Sequence, residues 1–254
     1  MARSLEGKFA LVTGSSRGIG AAIATRLAAE GAAVLVHYSA SRGRAEVVAT
    51  AIREAGGEAD LIAADLAATG GPAALIAQLD ATFGGRFKGR LDILVNNAGT
   101  GRFGGIAEAS DEDFDLQFNL NVRAPFVLAR EAARRMTAAG WGRIINVGSC
   151  LGEKVPMPAM SIYCATKFAI NGFTRGWSRD LSGGGVTVNS VQPGPIDTEL
   201  NPADGPGADA QKKMLSVGRY GKVEEIAAAV AFLAQPEAAF ITGENLTVDG
   251  GLNA

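Results

Sequence analysis

Short apolar runs and longer alanine-rich segments alternate from one end of the chain to the other, and this alternation limits the fold more than any other feature. "KFALVT" (8–13), "AVLVH" (33–37), "ADLIAAD" (59–65), "LDILVNN" (91–97), "GRIINVGS" (142–149), "VTVNSVQP" (186–193) and "NLTVDGG" (245–251) read as strands. Between them, 18–31, 41–55, 71–83, a long stretch within 110–139 opening at the cap-like "SDED", 161–181 and 223–234 have helical spacing. The strand runs do not alternate apolar with polar, so both faces of each strand are expected to be buried, as in a parallel sheet. Strands alternating with helices then predict βαβ units: an α/β fold with a doubly wound, seven-stranded parallel sheet and helices on both faces. "NPADGPGADA" (201–210) is too short for a domain linker and reads as a mobile loop over one edge of the sheet.

The 254 residues are 47% hydrophobic and 20% charged, which fits one large domain or two small ones. The unbroken βαβ pattern is read as a single domain over 1–254. The two cysteines, Cys150 and Cys164, have no metal-finger or C-x-x-C spacing, and the dull reading is two reduced, small apolar residues. The amino-terminal "MARSLEGKF" has no apolar leader, and the longest apolar run, Ile226 to Ala234, is nine residues. A bilayer span needs about 20, so no membrane association and a cytoplasmic location are expected. The formal net charge is −2 with no basic stripe, which argues against nucleic acid as a partner. His37 is the single histidine, so no histidine-rich metal site is expected, and it reads as a strand-end residue beside a ligand.

Between the first strand and the first helix lies "TGSSRGIG" (13–20), with glycines at 14, 18 and 20. Glycine allows a tight turn and lets backbone approach a ligand, and the helix that follows points unpaired N–H groups at an anion. The bland reading is a turn that ends a strand. Its place after the first strand of a βαβ pattern favours a pyrophosphate site instead. Tyr163 and Lys167 are four residues apart, about one helical turn, so they share a helix face.

Taken in order, these motifs resemble the short-chain dehydrogenase/reductase family, in its compact single-domain branch near the 3-oxoacyl-carrier-protein reductases and related carbonyl reductases. The resemblance covers essentially the whole chain. It rests on T-G-x-x-x-G-x-G at Thr13 to Gly20, N-N-A-G at Asn96 to Gly99, and Asn121 in "FNLNVRAPF". It also rests on Ser149 after the fifth strand, Y-x-x-x-K at Tyr163 and Lys167, and Pro193-Gly194 followed by Ile196 and Thr198. The resemblance implies a Rossmann-type fold, a homotetramer, and hydride transfer between NADP(H) or NAD(H) and a small-molecule carbonyl or alcohol.

In that reading Tyr163 is the general acid/base, and the Lys167 ammonium lowers its pKa from the usual value near ~10. By resemblance Lys167 also holds the nicotinamide ribose, Ser149 orients the substrate oxygen, and Asn121 holds a water in a proton relay. The implied cofactor contacts are Gly14, Ser16, Arg17, Gly18, Ile19 and Gly20 in the glycine loop, then Tyr38 and Ser39 after the second strand. Asp65 and Leu66 would meet the adenine. Asn97, Ala98, Gly99, Tyr163, Lys167, Pro193, Gly194, Ile196 and Thr198 complete the set, with Asn96 partly structural. Substrate contacts are expected from 100–103, 150–160 and 199–215, including Leu151, Met157, Met160, Leu200 and Met214.

The cofactor choice follows from charge. NAD-preferring relatives place a carboxylate at the end of the second strand. Here no acidic residue occurs from Val34 to Ala45, and Tyr38 occupies the usual acidic position. Ser39 can donate a hydrogen bond, and Arg17 with Arg42 or Arg44 can supply charge, so NADP is the expected cofactor and NAD the alternative. Two rival readings remain: a non-catalytic nucleotide-binding or regulatory protein on the same fold, and an epimerase or dehydratase of the extended branch, whose chains carry a longer substrate domain.

Overall fold

The computed structural model describes residues 4–181 and 183–254. The first three residues of the amino-terminal stretch read above, Met1 to Arg3, lie outside the described residues, as does Ser182. In chain order the elements are β1 (Phe9–Val12), α1 (Gly18–Ala29), β2 (Ala33–Tyr38), α2 (Arg42–Glu54), β3 (Glu58–Ala63), α3 (Gly71–Leu79) and β4 (Ile93–Asn96). There follow α4 (Asp111–Phe118), α5 (Ala124–Ala139), β5 (Gly142–Val147), α6 (Ser161–Asp180), β6 (Val186–Pro193), α7 (Ala208–Met214), α8 (Val223–Ala234) and β7 (Asn245–Val248).

The seven strands form one parallel sheet in the order β3-β2-β1-β4-β5-β6-β7. Every residue of β1 and β6 is buried, although β6 includes the polar Thr187, Asn189, Ser190 and Gln192; the edge strands β3 and β7 are only partly buried, so the expected burial of both faces does not extend to them. Two apolar clusters lie on opposite faces. One joins Ile23 and Leu27 of α1, Ile52 of α2 and Ile226 and Val230 of α8 to the sheet. The other joins Leu75 and Leu79 of α3 and Leu128 and Met136 of α5 to it. Each such side chain contributes about 1.5–3 kcal/mol when fully buried. Strand order reverses between β1 and β4, so a crevice opens at their carboxyl ends, where doubly wound sheets hold ligands.

Three further expectations change. The helix expected over 71–83 stops at Leu79; a separate 3-10 turn at Thr82–Gly85 follows, with Phe83 at φ 50° and its N–H donating to Asp60 Oδ2 at 2.8 Å. The long helix within 110–139 is two α-helices joined by a π-helical turn at Asn119–Arg123. It does begin where expected, with Ser110 Oγ accepting from the Asp113 N–H and three acidic residues in the first turn. The segment 201–210 is not all loop, because α7 starts at Ala208 behind the left-handed Gly207 (φ 83°). Among the described residues no helix is long and apolar enough to cross a membrane.

Candidate active site

The glycine loop between β1 and α1 is built by contacts across the crevice. Thr13 Oγ1 accepts from the backbone N–H groups of Asn97 and Ala98, both at 2.9 Å, and Asn97 Nδ2 donates to the carbonyl oxygens of Thr13 and Gly14 at 2.8 and 3.2 Å. A Cβ on Gly14 would lie 3.0 Å from Ala98 Cα, and one on Gly20 only 2.4 Å from the Gly14 carbonyl oxygen. Gly14 and Gly18 have φ of 65° and 56°, the left-handed region that glycine tolerates best. These contacts leave Ser16, Arg17, Gly18 and Ile19 at the amino end of α1. That helix carries no acidic residue in its first turn and no side-chain cap. A narrow backbone cradle at the positive end of a helix is fitted to a pyrophosphate.

His37 is part of this cradle, a role its sequence position did not disclose. Its Nδ1 accepts from the Gly14 N–H at 2.9 Å, its Nε2 lies 3.1 Å from the Ala64 carbonyl oxygen, and its backbone N–H donates to Ser15 Oγ. Accepting at one ring nitrogen and donating at the other defines a neutral imidazole. Burial pushes its pKa down to about 4. Among the described residues no cluster of His, Cys, Asp or Glu could hold a metal ion.

At the end of β2, Tyr38 is partly buried and Ser39, just beyond it, exposed; beyond β3, exposed Asp65 accepts from the Ala67 N–H at 3.1 Å. The side chains of Leu66 and Ile196, both expected to meet cofactor, lie in the two apolar clusters, which leaves their backbone for such a contact. Gly194 packs against Asp249, whose Cα would be 2.6 Å from an added Cβ. Thr198 Cγ2 lies 3.8 Å from the Cβ position of Gly18, which brings the segment after Pro193 over the glycine loop.

Ser149, Tyr163, Lys167 and Asn121 converge beside this loop. Asn96 Nδ2 donates to Asn146 Oδ1 and Asn146 Nδ2 to Thr174 Oγ1, tying β4 and β5 to α6, so Asn96 is structural. Ser149 follows β5, and its hydroxyl lies close enough to the Tyr163 phenol to favour its ionised form. Asn121 is buried: its Oδ1 accepts from the Thr100 N–H at 2.9 Å, and its Nδ2 donates to Thr100 O and Thr166 Oγ1 at 2.8 and 3.1 Å. The Cβ position of Gly99 lies 3.3 Å from Asn121 Oδ1 and 3.7 Å from Lys167 Nζ.

Lys167 Nζ donates to the Val147 carbonyl oxygen at 3.1 Å and stands 5.7 Å from the centre of the Tyr163 ring. Burial pushes the Lys167 pKa down to about 8 and the Tyr163 pKa up to about 12, the latter against the pull of Ser149. The expectation that Lys167 lowers the phenol's pKa is therefore not met in the chain alone. The ammonium is over the ring and bonded to backbone, and desolvation outweighs it.

Phe103 meets Tyr163 edge-on at 5.7 Å and is itself exposed, which gives the approach to the phenol an apolar flank; Met157, Leu200 and Met214, also expected at the substrate, are exposed. Cys150 and Cys164 are free and buried, and burial pushes the Cys150 thiol up to about 11, which keeps it protonated and unreactive.

A glycine-loop nucleotide cradle set against a Ser-Tyr-Lys cluster at the carboxyl edge of a doubly wound sheet defines a dinucleotide-dependent oxidoreductase class. Residues 14–253 match the family model described as "Enoyl-(Acyl carrier protein) reductase". The chain is 42% identical over 248 residues to the Escherichia coli "Cyclic-di-GMP-binding biofilm dispersal mediator protein", covering 98% of each. A short-chain dehydrogenase/reductase from Serratia marcescens superposes with a TM-score of 0.92 at 49% identity, over 99% of this chain and 100% of that one. A short-chain dehydrogenase from Burkholderia cenocepacia, solved in complex with NADP, gives 0.90 at 47% identity, again over 99% and 100%. The chain belongs to the short-chain dehydrogenase/reductase family of oxidoreductases.

Proposed function

We infer that this chain, as one domain over 1–254, is an NADP(H)-dependent reductase of a carbonyl group, or in reverse a dehydrogenase of the alcohol, with Tyr163 as general acid/base. The observation that carries this reading is the convergence of Ser149, Tyr163 and Lys167 beside a backbone cradle in which Gly14 and Gly20 leave little or no room for a Cβ. Gly14, Ser16, Arg17, Gly18, Ile19 and Gly20 would hold the pyrophosphate, and Asn97 to Gly99, Lys167 and the backbone from Pro193 to Thr198 the nicotinamide end. Bound there, the cofactor supplies or accepts the hydride.

Ser149 donates a hydrogen bond to the substrate oxygen and fixes its direction. Tyr163 gives that oxygen a proton as charge develops on it, and takes the proton back in oxidation. A phenol held protonated by burial is already in the form that reduction needs. Lys167, once its ammonium meets a ribose hydroxyl, shares the charge left on the tyrosine oxygen. Asn121 pins Thr100, and with it the loop facing Tyr163; both N–H groups of its carboxamide are taken by protein partners, so it would hold a relay water only as an acceptor, through an oxygen.

The preference for NADP over NAD is supported by Arg17 and Arg44, whose guanidinium groups converge within 3.0 and 2.7 Å of one anionic oxygen, and by the lack of a carboxylate at the end of β2. Of the two arginines expected after the second strand, it is Arg44, not Arg42, that makes this contact. A homotetramer in the cytoplasm fits the family.

The test is NADPH oxidation scored across ketones, sugars, steroids and acyl thioesters, with parallel titrations by NADPH and NADH at equal ionic strength. Turnover of at least one carbonyl class, tighter NADPH binding, and a larger loss for NADPH than NADH in Arg17→Ala are expected. A second reading, a non-catalytic nucleotide-binding mediator, is favoured by the name of the E. coli relative. It prevails if NADPH binds and no carbonyl is reduced.

A further inference from the structure

Glu199 bridges the two arginines that the NADP reading assigns to a 2′-phosphate. Its Oε2 accepts from Arg17 Nη1 at 3.0 Å and from Arg44 Nη1 at 2.7 Å, although the two partners are 182 and 155 residues away in sequence. Arg17 comes from the glycine loop and Arg44 from the first turn of α2, so the two cations reach one oxygen from two sides of the adenosine end of the crevice. Glu199 is delivered by a tight turn. Thr198 and Asn201 exchange backbone hydrogen bonds at 3.4 and 3.1 Å, and Asp197 Oδ1 accepts from the Ala203 N–H at 2.9 Å, which leaves Glu199 and Leu200 at the tip. The two guanidinium groups hold the Glu199 carboxyl below the usual carboxylate range.

We propose that Glu199 is a cofactor-specificity residue: an intramolecular stand-in for the 2′-phosphate that NADP(H) must displace and that NAD(H) leaves in place. The proposal rests on the NADP reading above. A phosphate carries about −1.5 to −2 charge and three acceptor oxygens against the single charge and two oxygens of a carboxylate, so it outcompetes Glu199 for the paired guanidinium groups. NAD(H) has a hydroxyl there and gains nothing by expelling it. Because only the fraction of molecules with the arginines free can accept the phosphate, Glu199 lowers the apparent affinity for NADP(H) by that fraction.

Glu199 is exposed on the turn, and the isosteric Glu199→Gln variant keeps its shape while removing its charge. Wild type and Glu199→Gln are titrated with NADPH and NADH at one low ionic strength, following nicotinamide fluorescence. The expected result is NADPH binding tightened by about three- to tenfold in the variant, the range that two exposed ion pairs can supply, with NADH binding unchanged. If wild type prefers NADPH and Glu199→Gln binds it no better, or more weakly, the stand-in role is wrong while the cofactor reading stands. If both cofactors tighten alike, Glu199 acts as a general surface charge and the phosphate-specific role is wrong. If wild type binds NADH as tightly as NADPH, the cofactor reading itself fails and this inference falls with it.

Discussion

Lys167 and Tyr163 share one face of α6, yet the Lys167 ammonium donates to the Val147 carbonyl oxygen at 3.1 Å and stands 5.7 Å from the centre of the phenol ring. The pair is adjacent without being a phenolate–ammonium pair. Proton donation to a substrate oxygen needs the phenol intact, and its oxygen is the one group the proposed chemistry cannot replace. Tyr163→Phe keeps the ring against Phe103 and removes that oxygen. Turnover should fall by about 10²–10⁴, the usual span for a general acid/base, with NADPH affinity retained. Steady-state kinetics beside a cofactor titration check both halves, and wild-type-like turnover would sink the mechanism.

Lys167 is kept charged at a cost to stability. Its folded-state pKa is depressed to about 8 from 10.5, so the unfolded chain holds the proton more tightly between those values. Below pH 8 both states are protonated and the buried charge costs on the order of 1–3 kcal/mol; stability then rises as pH climbs from 8 to 10.5. Lys167→Met should abolish turnover and raise the melting temperature at pH 7. That gain should shrink across pH 8 to 10.5, which calorimetry of both proteins at several pH values would show. A lower melting temperature at pH 7 would mean that the bond to Val147 outweighs the burial of charge.

His37 gives the glycine loop its own pH limit. The folded-state pKa is about 4 against 6.5 for the free imidazole, so the unfolded state binds more protons in between and stability falls as pH drops from 6.5 toward 4. The full loss is about 3 kcal/mol. Because the chain has one histidine, His37→Asn removes the whole effect. Denaturant midpoints should decline less steeply in the variant than in wild type over that interval, and parallel curves would contradict the neutral clamp.

Gly20 tests the cradle itself. A Cβ there would lie 2.4 Å from the Gly14 carbonyl oxygen and 2.5 Å from Asn97 Nδ2, both fixed by other bonds. Gly20→Ala should lower stability by about 1–3 kcal/mol, the usual cost of overpacking, and weaken NADPH and NADH together, since it displaces the loop that serves both. Binding left intact for either cofactor would separate the cradle from the pyrophosphate.

The sheet was legible because its signals are local: a central strand such as β1 appears as an unbroken apolar run, and Ser110 marks a helix start within one turn of where it acts. The Ser149, Tyr163 and Lys167 cluster was legible for a related reason, since each follows a strand end or sits one helical turn from the next. What stayed hidden depends on residues distant in sequence. Nothing near His37 announces that its ring will meet Gly14, and nothing near Glu199 announces Arg17 and Arg44. Motif position puts Leu66 and Ile196 at the cofactor but does not show that their side chains are taken up by the two apolar clusters, which leaves their backbone for such a contact. The upward shift of Tyr163 was equally invisible, because desolvation is set by what the fold stacks over a residue.

The π turn at Asn119–Arg123 carries information that no single residue identity holds. A π turn takes one residue more than the α turn it replaces. Deleting a residue there would let α4 and α5 run on as one regular helix with their outer faces kept, while the residues inside the turn shift by one position, about 100° around the axis. Asn121 would then swing off Thr100. In this stretch the spacing of the active site is written in the number of residues rather than their kind, so an insertion or deletion is a more severe lesion than most substitutions.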